Sequence, residues 1–138
     1  MLIKPGAESH SYEPTPMDII AIQDCDVFLC VGGENDRWAQ TILESLDTSG
    51  MTVVRLMEIV ELLEEEHSES MEPQEREDGE EEEYDEHVWT SPVNAMAIVS
   101  ALADILSALD PAHAEAYRAN ADGYIAEIAA IDGEIRAL

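Results

Sequence analysis

Val27-Phe28-Leu29-Cys30-Val31 is an unbroken apolar run that stops at Gly32-Gly33. A surface hairpin strand alternates apolar and polar residues, so a continuous run is the pattern of a strand buried on both faces of a parallel sheet. A helical stretch follows from about Asn35 to Leu46, with Trp38, Ile42 and Leu46 as its inner stripe. The β-branched stretch Thr52 to Leu56 is again strand-like. Upstream, Leu2-Ile3 reads as the stub of a strand entering the Lys4-Pro5-Gly6 turn. Thr15-Pro16-Met17-Asp18 is a helix start, running to about Gln23. Alternating strands and helices predict an α/β fold with a parallel sheet. At 138 residues the chain is one domain or part of one.

Charge narrows the partners. The net charge is −26, and residues 61–86 supply −14 of it, with 15 acidic side chains against Arg76 alone. Such a field repels phosphate backbones and anionic headgroups and attracts cations or basic protein surfaces. Nucleic acid is excluded as a partner. Residues 61–86 hold too little apolar surface to offset their ordering entropy, so they read as an acidic mobile loop. No apolar stretch reads as a membrane span, and Met1-Leu-Ile-Lys lacks the regions of a signal peptide. Cys25 and Cys30, five apart in a strand-like stretch, point to opposite faces and read as buried free thiols.

Beyond the tract, Ser91-Pro92 starts a helix to about Leu109 and Asp110-Pro111 starts another. In the second, Tyr117, Ala121, Tyr124, Ile128, Ile131, Ile135 and Leu138 recur at spacings of four and three as one stripe. From Pro111 to Leu138 it would extend about 42 Å. Packing against a globular body explains the stripe better than a coiled coil, because the flanking positions carry no matching charges.

Four histidines are the chemistry-bearing residues. His67 in the acidic tract and His113 at the last helix start read as solvated. His10 follows the Pro-Gly turn after a strand, and His87 stands immediately before a helix start. Loops after parallel strands gather along one sheet edge, where ligands bind, so these two imidazoles can meet. Converging in a carboxylate-rich rim they suit a borderline divalent ion such as zinc. On spacing alone, hydrogen bonds across their own turns are the better explanation. No Ser sits in a nucleophile elbow, neither Cys has a nearby His, and Gly32-Gly33 lacks the Gly-Lys-Ser/Thr of a phosphate cradle.

Four segments in order resemble one family. They are Pro5-Gly-Ala-Glu-Ser-His10-Ser-Tyr-Glu-Pro-Thr-Pro16, then Asp24 to Gly33 with Trp38, then His87-Val-Trp-Thr-Ser-Pro-Val-Asn94, and Asp110-Pro-Ala-His-Ala-Glu-Ala-Tyr117-Arg-Ala-Asn120. The pattern is similar to the metal-specific solute-binding proteins of ABC importers, the cluster A-I or zinc/manganese type. The resemblance implies two lobes joined by a long rigid helix, with metal in the cleft between them. His10 and His87 match the first two metal ligands; His67 and Glu13 are weak auxiliary donors.

By the same resemblance, residues 1–110 form a partial N-terminal metal-binding lobe whose first strand and helix are missing. Residues 111–138 form the bridging helix toward an absent second lobe. The expected function is extracytoplasmic capture of zinc, alternatively manganese, for an ABC permease, by a periplasmic protein or cell-surface lipoprotein and not an enzyme. Such a piece would expose strand edges and apolar helix surface, and would either self-associate or persist as a marginal, loosely packed monomer. The rival from another class is a structural or adhesive module that uses its acidic tract, with the histidines incidental. A metallohydrolase with water between two histidines and Glu13 is third.

The tract itself gives a test. Replacing residues 64–83 with a short Gly/Ser linker should leave stability unchanged or raise it, because like charges repel. Chemical denaturation of both chains reads the effect; a clear loss of stability would show that the tract packs.

Overall fold

The computed structural model describes Leu2, residues 12–62 and residues 84–138. The Ile3 half of the strand stub, His10, His67 and residues 63–83 of the acidic tract lie outside the described residues.

Thr15 and Asp18 form the expected helix start. Asp18 Oδ2 accepts the Thr15 backbone N–H at 2.8 Å, and the Asp18 N–H donates back to Thr15 Oγ1 at 3.4 Å. Helix α1 (Pro16–Gln23) follows. Strand β1 (Val27–Cys30) comes next, then a 3₁₀ turn (Glu34–Asp36), helix α2 (Arg37–Ser45) and strand β2 (Thr52–Arg55). The strands pair in parallel, Val27 opposite Thr52 through Cys30 opposite Arg55.

Ile22 from α1, Phe28 from β1 and Ala39 and Ile42 from α2 are the buried centre of this unit. Leu2, Trp38, Leu46 and Val53 pack around them, so the core of α2 lies at Ala39 and Ile42, flanked by the expected Trp38 and Leu46. Burial of β1 on both faces does not hold as expected. Phe28 is sealed by α1 and α2, whereas Leu29 on the other face is 45% exposed, even though its partner Val54 is buried. That face is closed over β2 and open over β1.

Cys25 and Cys30 are free and only half-buried. Burial, reinforced by the Asp36 charge, pushes the Cys30 thiol up to about 11 despite Arg55 nearby.

Helices α3 (Pro92–Leu109) and α4 (Ala114–Arg136) form the second unit. Ser91 caps α3 by accepting the Asn94 N–H. Ser107 donates to the Ala114 carbonyl and Arg118 faces Asp104, so contacts run in reverse order and the helices are antiparallel. Their junction is tied by Asp110, whose Oδ2 pairs with His113 Nδ1 at 2.7 Å and accepts the Tyr117 hydroxyl at 3.0 Å. The α-helix begins after a 3₁₀ turn (Pro111–His113), so it is shorter than the expected span from Pro111.

Two expectations need correction here. The single α4 stripe divides: Ala121 is buried and Tyr117, Ile125 and Ile128 are half-buried, while Tyr124, Ile131 and Ile135 are more than half exposed. Ile125 takes the place expected of Tyr124, being one turn on from Ala121. Counting back along the antiparallel pair, α3 begins opposite about residue 129 of α4, so Ile131, Ile135 and Leu138 lie beyond its end. Second, α3 has 18 residues of mean hydropathy 1.6, enough by length and composition to cross a membrane, contrary to the reading that no stretch does. Its capped start and its packing along α4 are also what the core helix of a lobe requires.

Ile22 is 1% exposed at the meeting point of α1, α2 and β1. Ile22→Ala should cost about 2–5 kcal/mol by lost burial and the cavity left behind. Urea unfolding of the two chains provides the comparison.

Candidate metal centre

The C-terminal end of β1 is shaped by one carboxylate and two glycines. Asp36 Oδ2 accepts the Val31 N–H at 2.6 Å and the Gly32 N–H at 3.2 Å, folding the strand exit back onto the start of α2. Gly32 has φ +98°, a conformation that L side chains rarely adopt, and a Cβ there would also lie 3.0 Å from Arg55 Cβ. Gly33 serves a different need. A Cβ on it would overlap the Glu86 side chain, so its missing side chain lets the segment carrying His87 close onto this loop.

His87 sits in the turn before a 3₁₀ segment (Val88–Thr90), with Val88 buried beneath it. Asp85 Oδ1 accepts both the His87 backbone N–H and its ring Nδ1, each at 2.8 Å. These bonds, the backbone one first, hold the Asp85 carboxyl below the usual carboxylate range. An ionised carboxylate has no proton to give, so ring Nδ1 is the donor in this bond, and in the neutral ring that leaves the lone pair on Nε2. The Trp89 ring lies 5.6 Å from the imidazole. The His87 and Asp85 side chains are about half exposed, at 47% and 45%.

On the other side of the same loop, Tyr12 packs edge-on against Trp38, with ring centroids 5.1 Å apart. Trp38 in turn meets Phe28 edge-on at 6.5 Å. Glu13 is exposed. His113 is spent on the α3–α4 junction through Asp110, as its solvated reading allows. Among the described residues no three His, Cys, Asp or Glu side chains converge as a metal site.

Asp36, Asp85 and Glu86 are the polar residues that sequence reading passed over. Asp85 had a local signal, an Asp two residues before the histidine, the spacing at which an Asx side chain bonds the backbone ahead of it. Glu86 against Gly33 had none, because 53 residues separate them in the chain.

Gly33→Ala should push the Glu86 side chain aside. Glu86 has contacts of its own to lose, so stability should fall by only about 1 kcal/mol. Amide exchange at residues 85–88 should nevertheless quicken, and unaltered exchange would mean that the contact does not hold the turn.

The family described as zinc-uptake complex component A, periplasmic, matches residues 1–138. The iron-binding protein YfeA of Yersinia pestis is 34% identical over 142 residues, covering 98% of this chain and 40% of that protein. The zinc-binding lipoprotein AdcA of Streptococcus pneumoniae is 33% identical over 132 residues, covering 96% of this chain and 26% of that protein. The crystal structure of Zn(II)-bound AdcA superposes with a TM-score of 0.75 at 31% identity, over 96% of this chain and 26% of that one. A Mn-bound periplasmic metal binding protein from Candidatus Liberibacter asiaticus gives 0.71 at 28% identity, over 91% and 42%. The chain thus spans less than half the length of these relatives.

Proposed function

This chain belongs to the zinc-uptake complex component A family, and from that premise we propose that it is the first lobe and bridging helix of a metal-capturing protein. It binds a divalent transition metal outside the cytoplasmic membrane and hands it to an ABC permease. Zinc is the metal of choice, with manganese the alternative, in keeping with zinc-bound and manganese-bound relatives. The work is capture and release, with no bond of the cargo made or broken, so the protein is not an enzyme. The adhesive alternative draws no support from these relatives.

The observation that carries the reading is that the loop from Val31 to Asp36 receives the segment that carries His87. Glu86, the neighbour of His87, rests on Gly33. Tyr12, two residues after His10, rests on Trp38. His87 would offer Nε2, His10 the second imidazole, and the coordination positions left over fall to other donors or water. The net charge of −26 raises the local concentration of any cation around the site. His67 and Glu13 remain weak auxiliaries in this scheme. In α4, the exposed residues Ile131 and Ile135 suit a bridging helix that meets further protein beyond α3.

Calorimetric zinc titration tests the pair. His10→Ala and His87→Ala should each weaken binding at least about tenfold, roughly 1.4 kcal/mol. The double variant should lose less than the two losses added, because both act on one ion. Equal affinity in all four chains overturns the proposal.

A further inference from the structure

Asp85 is half exposed, yet a single oxygen of its carboxylate accepts both N–H groups of one residue, the backbone and the ring of His87. The backbone bond alone would close the turn, so the second bond needs its own account. Its effect is on the imidazole. Free neutral imidazole exchanges its proton between two nitrogens, and only one tautomer places a lone pair on a given atom. A carboxylate at 2.8 Å from Nδ1 selects the tautomer whose lone pair is on Nε2. The backbone bond from the same oxygen ties the carboxylate to the turn, so ring orientation and turn geometry are set together. Val88, buried immediately after, prevents the turn from drifting.

We propose that Asp85 is a positioning residue for metal capture, presenting His87 to the cargo through Nε2 by fixing its tautomer and ring orientation. This rests on the reading of His87 as a metal ligand. Asp85 touches no metal in this scheme; it acts through the imidazole. Paired carboxylate and metal-bound histidine form a recurrent arrangement in metal sites, where removing the outer partner costs about 10- to 100-fold in affinity. Asp85 also adds negative charge behind the ring, which strengthens the imidazole as a donor to a cation.

The test uses the full chain in three variants, Asp85→Leu, Asp85→Asn and His87→Ala. Long-range ¹H–¹⁵N NMR of the histidine rings reads the tautomer without metal, and zinc calorimetry reads the affinity. Asp85→Leu keeps the size and removes the acceptor. It should release His87 from the Nδ1–H tautomer and weaken zinc binding about 10- to 100-fold. Asp85→Asn keeps an acceptor oxygen and should restore the tautomer and most of the affinity. If His87→Ala loses zinc while Asp85→Leu keeps both tautomer and affinity, the role of Asp85 is overturned and His87 stands as a ligand. If His87→Ala binds zinc as the parent does, the ligand reading fails, and the role of Asp85 with it.

Discussion

Contact between Phe28 and the Ile22, Ala39 and Ile42 side chains holds the site-bearing edge of this molecule in place. It clamps α1 and α2 onto one face of β1, so the direction in which β1 ends is no longer adjustable. Everything near His87 is built on that exit. Asp36 folds the exit back, Gly32 turns with a φ of +98°, and Gly33 leaves room for Glu86. Parallel pairing with β2 adds Arg55 beside the same turn. A loop anchored at both ends by a close-packed strand and helix can present ligands without first having to order itself.

Metal capture for transport asks for something different from metal catalysis. A transporter's receptor must bind and let go, so selectivity rests on donor type, geometry and the partners that orient each donor, since affinity order alone does not choose among first-row metals. In the proposed site Asp85 and His87 would supply such orientation locally, because one carboxylate oxygen serves both the backbone and the ring nitrogen of His87. The long-range field of an acidic chain acts on every cation alike and cannot discriminate. In the proposed site, discrimination would therefore fall to the ring and its neighbours.

The α3–α4 pair illustrates where periodicity stops informing. Spacings of four and three from Tyr117 to Leu138 are present in the chain, but Tyr124 gives way to Ile125 and the residues past the reach of α3 stay exposed. The pattern reports which residues share a helix face and is silent on the length of the partner. Leu29 makes the same point in a strand. It belongs to an unbroken apolar run, yet it stays 45% exposed, because α1 and α2 both lie on the Phe28 side and its own face is closed only over Val54.

Local chemistry was written in the residue order. Thr15 with Asp18 and Ser91 before Pro92 marked helix starts because capping is a matter of groups three residues apart, whereas Asp110 before Pro111 opens a 3₁₀ turn without a side-chain cap. Val27 to Cys30 and Thr52 to Arg55 marked the parallel strands by their apolar and β-branched character. His10 and His87 stood out by their places beside a strand end and a helix start. What lay beyond reach was everything decided by groups far apart in the chain. Glu86 on Gly33, Tyr12 on Trp38 and the uncovered end of α4 depend on how elements lie against one another. Short-range hydrogen bonds and steric limits act within a few residues and so can be read in order, whereas contacts across dozens of residues exist only after the core has packed.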